Sequence, residues 1–225
     1  MIEKLYQYRF EIFFSSQISI LFGSLLFYSP FFEGVVTSLL LLVNLISGIL
    51  LISNKKPLMW FFIILLASAG LVFSANLIDQ KHIKPLYFLD IAIHFLFYIV
   101  VTIEIIKQIW ETKKVNRSTI LGLMSGYISL GLIGFFICIS IEISSPGSFQ
   151  GINTALENPE LLTEELLYYS YVTLLTIGYG EIVPVTPLSQ KAAILISLLG
   201  QFYHVILTAI IVGKYLNSKN ESESK

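Results

Sequence analysis

The sequence predicts an all-α membrane protein with six membrane-spanning helices and one shorter helix that enters the membrane and returns. The composition is the first reason, because 55% of the 225 residues are hydrophobic and 13% are charged, whereas soluble domains carry about 25% charged residues. The second reason is a set of apolar segments, since roughly 20 apolar residues in a helix cross a bilayer core of about 30 Å. The six segments are 12–30, 35–52, 58–78, 86–109, 120–141 and 189–216.

Lysine and arginine residues orient these spans. Cytoplasmic loops carry an excess of both residue types, and placing the N-terminus inside puts eleven of the fourteen basic residues on the cytoplasmic side. We therefore expect a multi-pass protein of the plasma (inner) membrane, surrounded by lipid, with both termini in the cytoplasm. The eleven residues are Lys4, Arg9, Lys55, Lys56, Lys107, Lys113, Lys114, Arg117, Lys214, Lys219 and Lys225.

The composition and the scattered reactive residues argue against several functional classes. A formal net charge of −1 provides no basic field that would bind nucleic acid. The single cysteine, Cys138, lies in an apolar run and is expected to serve packing. The three histidines, His82, His94 and His204, are far apart and form no metal-ligand spacing. We therefore predict no enzymatic activity, no cofactor and no nucleic-acid partner.

A short helix is predicted between the last two spans. Residues 163–174 have helical character, with Thr163 as a candidate N-cap, and Pro159 offers an earlier start. This helix is too short to cross the bilayer, so it must dip in and return, which directs its negative C-terminal end towards the membrane centre. The irregular backbone that follows, 175–184, is tolerated at that depth only when it is buried in protein or lines water.

Acidic residues dominate this part of the chain. Residues 142–188 contain no lysine or arginine. An outer vestibule lined with carboxylates would concentrate cations, and the alternative is a solvated acidic loop. The six glutamates are Glu142, Glu157, Glu160, Glu164, Glu165 and Glu181.

Residues 176–181 read Thr-Ile-Gly-Tyr-Gly-Glu, and we call them the glycine strand. Gly178 and Gly180 permit backbone conformations that are closed to other residues, so successive carbonyl groups can point to one side. Four such strands around one axis make a stack of oxygen cages that can replace the water around a potassium ion. Thr176 adds a hydroxyl oxygen at the bottom of this stack.

The order of span, short helix, glycine strand and span over residues 120–216 resembles the pore domain of the potassium channel family. The selectivity filter of that family is commonly T-V-G-Y-G-D, and this chain carries isoleucine for the valine and glutamate for the aspartate. The resemblance implies a homotetramer, because one filter strand cannot surround an ion, and K+ as the transported ion. The implied filter residues are Thr176, Ile177, Gly178, Tyr179 and Gly180, with K+ held at Thr176, Ile177, Gly178 and Tyr179.

Residues on both sides of the glycine strand are implied to support it. The run Leu-Tyr-Tyr-Ser at 167–170 resembles the aromatic cuff that braces the family's filter, which assigns Tyr168 and Tyr169 to filter support. Glu181 would brace the outer mouth or attract cations. Leu175 stands where many members carry a threonine, a departure expected to alter the innermost ion site.

The last span carries a polar stripe. Ser197, Gln201, His204 and Thr208 lie at i, i+4, i+7 and i+11, which is one helix face, and polar groups in a membrane usually face protein or water. We expect this stripe to face a central cavity, where protonated His204 would repel K+, although His204 bonded to a neighbouring helix is the alternative. Gly200 resembles the family's inner-helix glycine, a proposed gating hinge, and helix packing is the alternative for it.

The first four spans, within residues 1–110, form a four-helix transmembrane domain that resembles a voltage sensor but lacks its arginines. The fourth span carries Asp90, His94 and Glu104 and no basic residue before Lys107. Because steep voltage dependence needs about three to four charges per subunit, we expect weak voltage dependence at most. Asp90 and His94 are spaced to pair on one helix face, either as a sensor of protons or ligand or as a locally satisfied pair.

Residues 217–225 are expected to be a short, disordered cytoplasmic tail, so no soluble ligand-binding domain is predicted in this chain. The function predicted is a potassium-selective channel that conducts K+ passively. A weakly selective cation channel is the alternative within transport, and a potassium uptake subunit is disfavoured because such proteins carry four filter-like loops in one chain. A non-conducting multispan membrane protein or a membrane enzyme is the alternative from another class.

Overall fold

The computed structural model describes residues 2–25, 35–78, 84–112, 116–152 and 159–223. These residues are mostly helical, as the sequence predicts. The two strands each have two residues and pair with one another. The elements are α1 (Ile2–Gln7), α2 (Arg9–Phe22) followed by a 3-10 turn (Gly23–Leu25), α3 (Thr37–Ile52), α4 (Lys56–Ile78), α5 (Lys84–Glu111), α6 (Arg117–Ser144), β1 (Phe149–Gln150), α7 (Pro159–Leu174), β2 (Val183–Pro184) and α8 (Pro187–Glu223).

Four of the described helices are long and apolar enough to cross a membrane: Lys56–Ala75, Pro85–Glu111, Arg117–Ser144 and Pro187–Lys214. They correspond to the predicted third to sixth spans. The first two predicted spans contain the shorter helices α2, with 14 residues, and α3, with 16 residues. Residues 26–34, which include the end of the predicted first span, lie outside the described residues.

Two helix starts follow directly from local sequence. Asn116 precedes α6, where its side chain accepts a hydrogen bond from the Thr119 backbone at 2.8 Å and forms a capping box. Thr186 and Ser189 cap α8 in the same reciprocal way, with backbone-to-hydroxyl distances of 3.1 and 3.3 Å. Pro187 lies between them at the first helical position, where a missing N–H costs nothing.

Helices α2 and α5 pack against α6 of the same chain. We call α2 to α5 the four-helix unit and α6 to α8, with the segments between them, the pore-like unit. Large buried side chains fill the four-helix unit, and Phe13, Phe62 and Phe97 are fully buried. The Phe97 ring lies 5.1 Å from that of Phe62 and 6.2 Å from that of Phe13, in tilted and edge-on arrangements. Such ring geometries are the favourable ones for aromatic pairs.

A buried polar network connects the helices of the four-helix unit. Asn44 donates to Ser16 Oγ at 2.8 Å and accepts from the Tyr98 hydroxyl at 2.9 Å. Gln17 donates to Ser129 Oγ at 2.8 Å and thereby joins α2 to α6. Hydrogen bonds between helices hold membrane proteins together because no water competes for these groups. Asn44 therefore joins α3 to α2 and to α5 by side-chain hydrogen bonds.

The charged residues of α5 are bound locally. His94 Nδ1 lies 3.0 Å from the Asp90 carbonyl and 3.4 Å from its carboxylate, and the His94 ring stacks on Phe136 of α6. Glu104 is buried and binds Lys55 at 2.5 Å, and this pairing raises the pKa of Lys55. These contacts match the locally satisfied pair at Nδ1 of His94 only, because Nε2 of the same ring is buried without a hydrogen-bond partner among the described residues.

Helix α8 continues through Glu223. The expectation of a disordered tail over 217–225 is therefore wrong for residues 217–223, where the backbone extends the last span as helix. The cause is that α8 begins from a strong cap and its lysine, serine and glutamate residues do not interrupt a helix once it has been nucleated. Residues 224–225 lie outside the described residues.

Candidate functional site

Helix α7 carries the chain to the glycine strand. It begins at Pro159, so the later start at Thr163 is wrong. Proline at the first helical position is already in helical conformation, and Thr163 lies one turn inside the helix, where it hydrogen-bonds with Tyr87 of α5. With 16 residues, α7 is about 24 Å long at 1.5 Å per residue, shorter than a bilayer core.

The C-terminus of α7 ends in a Schellman motif that leads into the glycine strand. Ile177 N–H donates to the Val172 carbonyl at 2.9 Å, and Thr176 N–H donates to the Thr173 carbonyl at 3.0 Å. The residue in the left-handed position of this motif is usually glycine, but here it is Thr176, with φ of 57°. A β-branched residue in this conformation costs of order 1–3 kcal/mol and marks a backbone that its surroundings hold in place.

Positive φ angles alternate along the glycine strand. Thr176 has φ of 57°, Gly178 of 59° and Gly180 of 93°, whereas the φ angles of Ile177 and Tyr179 between them are not positive. When positive and negative φ angles alternate along a strand, successive carbonyl groups turn towards the same side. In an ordinary β-strand successive residues point to opposite sides. Open space surrounds both glycines where a Cβ would lie. Glycine is therefore required there for its backbone conformation rather than for lack of room.

Helix α6 provides the surface on which α7 docks. Ser170 Oγ donates to the Gly131 carbonyl at 2.6 Å, and the Tyr171 hydroxyl donates to the Ile128 carbonyl at 2.7 Å. A Cβ at Gly131 would overlap the Tyr171 ring, and a Cβ at Gly134 would lie 2.5 Å from Ser170 Oγ. Small residues allow such close approach between membrane helices. Sequence reasoning missed Tyr171 and the two glycines, although the glycine spacing in α6 was the available signal.

Helix α8 crosses the C-terminal end of α7 at Gly200. A Cβ there would overlap the Leu174 carbonyl oxygen. Close packing of α8 on α7 therefore requires glycine at this position, independently of any bend in α8. Tyr203 OH donates to the Leu123 carbonyl at 2.6 Å, which joins α8 to α6. The three helices α6, α7 and α8 are therefore fixed to one another around the start of the glycine strand.

The polar stripe of α8 follows the path of the chain from α7 into the glycine strand. Gln201 Nε2 donates to Thr176 Oγ1 at 3.4 Å. His204 is exposed in the single chain, and its ring meets the Tyr127 ring edge-on at 4.9 Å. Ser197 Oγ donates to the Thr173 carbonyl at 3.4 Å. An open cavity of about 520 Å³ is lined by His204, Val205, Thr208, Ala209 and Val212.

The two cuff tyrosines have different environments. The Tyr168 hydroxyl hydrogen-bonds with Glu181, and this bond raises the pKa of Tyr168 to about 12. Tyr169 is buried, and its ring meets that of Phe149 edge-on at 5.1 Å. Tyr168 therefore supports the outer end of the glycine strand directly, whereas Tyr169 supports it through the loop that carries β1.

That loop holds the chain segment directly after the glycine strand. Strand β1 pairs antiparallel with β2, with Phe149 opposite Pro184 and Gln150 opposite Val183. Gly151 has φ of 96° and allows the loop backbone to approach the Glu181 carbonyl. The outer end of the glycine strand is thus bound to the loop that follows α6.

Glu142, at the end of α6, is buried and shapes this loop. Its two carboxylate oxygens accept from the backbone N–H groups of Gly147 at 2.6 Å and Phe149 at 3.1 Å. The expectation that Glu142 lines an outer vestibule is therefore wrong. A buried charge must be paired or hydrogen-bonded, and the backbone N–H groups of Gly147 and Phe149 fill this need for the Glu142 carboxylate. The carboxylate therefore faces the loop rather than a vestibule.

A further contact joins α8 to the C-terminal end of α5. Lys214 Nζ donates to the carbonyl groups of Ile109 at 2.5 Å, Trp110 at 3.0 Å and Thr112. A cation is favourable at the C-terminal end of a helix. Over the residues that the structure describes, no group of three or more histidine, cysteine, aspartate or glutamate side chains could hold a metal ion.

Comparison with known proteins gives one family. Residues 127–217 match the model of a family described as ion channel. The match begins within α6, covers the whole of α7 and the glycine strand, and ends in α8. No curated protein and no solved structure matches the chain.

Proposed function

From the match of residues 127–217 to an ion channel family model and from the geometry of the glycine strand, we propose that the protein is a potassium-selective channel. It conducts K+ passively, down the electrochemical gradient, through a pore on the axis of a homotetramer. The carbonyl groups of residues 176–179 and the Thr176 hydroxyl coordinate the dehydrated ion.

One observation carries this proposal. Positive φ angles recur at Thr176, Gly178 and Gly180 in a strand that leaves the C-terminal end of a helix too short to cross the bilayer. The alternation of φ angles along the glycine strand presents stacked carbonyl oxygens, and the C-terminal end of α7 supplies a negative partial charge near a cation.

The surfaces that a single chain leaves uncovered support the proposed tetramer. Tyr179 is 72% exposed, although it lies in a strand that a membrane does not tolerate in contact with lipid. On α8 several large apolar side chains are also exposed, and further copies of the chain on a common axis would cover both. These side chains are Leu195, Leu198, Phe202, Val205 and Ile206.

The same proposal includes six spans, location in the plasma (inner) membrane and cytoplasmic termini. Helix α2 would be the inner part of the first span, and α3 would be nearly all of the second. The basic residues favour this orientation. Because α5 carries Asp90 and Glu104 rather than arginines, we propose gating that is weakly voltage-dependent at most.

The test is ion flux through the purified protein in liposomes. Reversal potentials under opposed K+ and Na+ gradients should follow the K+ gradient, and Gly178→Ala should abolish the flux because alanine is strained at φ of 59°. Gly70→Ala is the matched control, since Gly70 lies in α4 with open space around its Cα.

The outcomes separate the candidate functions. Equal permeability to Na+ and K+ would indicate the weakly selective cation channel, which the leucine at position 175 and the glutamate at 181 would favour. An absence of flux from wild-type protein that inserts as a tetramer would refute conduction. A monomer in native mass spectrometry of the detergent-solubilised protein would refute the shared pore.

A further inference from the structure

Helix α8 reaches the first residue of the glycine strand with one side chain. Gly200 lets the helix backbone approach the Leu174 carbonyl, and the next residue, Gln201, then extends its amide to the Thr176 hydroxyl at 3.4 Å. The close approach at Gly200 is therefore the condition for the contact at Gln201. A larger residue at 200 would move the amide out of reach.

We propose that Gln201 is a positioning residue that fixes the Thr176 hydroxyl and thereby sets the ion preference of the innermost binding site. The inference rests on the proposed function, because that site exists only if the glycine strand conducts ions. Gln201 does not itself touch the ion in this proposal. It acts through the orientation of the threonine side chain.

The chemistry of the hydroxyl makes such a partner effective. A threonine hydroxyl has one hydrogen to donate and two lone pairs that accept. The Gln201 amide engages one of these lone pairs from the side of α8, which fixes the side-chain rotamer and leaves the other lone pair for a cation. Without the amide the side chain can turn among its staggered rotamers, and some of these remove the hydroxyl oxygen from the ion.

The neighbouring residues increase the need for this contact. Leu175, directly before Thr176, is apolar and cannot hold the hydroxyl. Thr176 itself is in a left-handed conformation that its own side chain disfavours. Gln201 is also uncharged, so it orients the threonine without adding a charge that would compete with the passing ion.

A double-mutant cycle on the full-length protein tests the inference. Gln201→Leu removes the amide, Thr176→Val removes the hydroxyl at constant shape, and both are combined. The measurement is the permeability ratio of Rb+ to K+ from reversal potentials in liposomes. Gln7→Leu, at an exposed position of α1, is the matched control for loss of a glutamine.

We expect Gln201→Leu to change the Rb+/K+ ratio by about threefold, which corresponds to a side-chain coupling of about 0.6 kcal/mol. In the Thr176→Val background the same change should have no further effect. A wild-type ratio in Gln201→Leu, or additive effects in the double mutant, would overturn the inference.

Two further measurements keep the test decisive. If Thr176→Val carries no flux, the cycle is measured as the protection of the purified tetramer from thermal unfolding by K+ and by Rb+, which needs binding but no conduction. Wild-type liposomes that carry no K+ flux would instead refute the proposed function. Normal wild-type flux with an additive cycle would refute only the role of Gln201.

Discussion

Replacement of Gly200 by alanine tests the close contact between α8 and the C-terminal end of α7. The added methyl group would lie against the Leu174 carbonyl oxygen, well inside the 3.0 Å below which real Cβ atoms essentially never approach another atom. That atom belongs to the backbone, at the C-terminal end of α7, so no flexible side chain can give way. The two helices must separate by on the order of 1 Å to reach ordinary contact.

The energy of this change can be worked out from its two parts. Overpacking of this kind costs about 1–3 kcal/mol, and alanine returns about 1 kcal/mol of helix propensity relative to glycine. Because the overlapped atom belongs to the backbone and cannot give way, the upper part of this range, about 2–3 kcal/mol, applies, and the expected net loss is about 1–2 kcal/mol. For a chain of this length it lowers the melting temperature by roughly 2–8 °C.

The assay is thermal unfolding of the purified protein, with K+ flux in liposomes as a second readout. Gly213→Ala is the control in the same helix, because no atom lies near the position of its Cβ, and it should leave the melting temperature unchanged or raise it. Separation of α8 from α7 should also change ion preference in Gly200→Ala, because it carries Gln201 away from Thr176. An unchanged melting temperature and unchanged flux in Gly200→Ala would show that the contact is not limiting, and that Gly200 serves some other purpose, such as bending.

Two further predictions follow from the outer loop and from α5. Glu142→Gln should destabilise the protein by about 1.5–3 kcal/mol, because an amide replaces a carboxylate that accepts two backbone N–H groups. Hydrogen exchange at the Phe149 backbone N–H should be faster in Glu142→Gln than in the wild-type protein, and unchanged in the control Glu111→Gln. Equal exchange at Phe149 in the two variants would contradict the role of Glu142. The conductance of the wild-type channel should change little between −100 and +100 mV, about the range over which each transferred charge would supply several kcal/mol. A steep conductance–voltage curve would contradict the proposal that gating is weakly voltage-dependent at most.

Much of the architecture could be predicted because it depends on local composition. Four of the six predicted spans coincide with described helices of membrane-spanning length, since the length of an apolar run is a property of neighbouring residues. The positive φ angles of Gly178 and Gly180 were predictable for the same reason, as glycine is the residue that adopts them at little cost.

Other features depended on contacts between distant residues and gave no local signal. Thr176 is β-branched, and its left-handed conformation is imposed by the end of α7 rather than by its own preference. Glu142 was grouped with the other glutamates of an acidic stretch, whereas the returning loop buries it. The start of α7 at Pro159 was one of two alternatives that the local sequence left open.

The amino-acid sequence by itself determined the membrane-spanning character, the match of residues 127–217 to an ion channel family model and the glycine strand that can present carbonyl oxygens. These follow from hydropathy and from the backbone freedom of glycine, which act over a few residues. Only the tertiary structure decided which side chains hold that strand, namely Tyr168 with Glu181 at its outer end and Gln201 at its inner end. The reason is that these contacts join residues brought together by the packing of α7 and α8 on α6, and the glycines that permit this packing acquire their meaning only from the helix that lies against them.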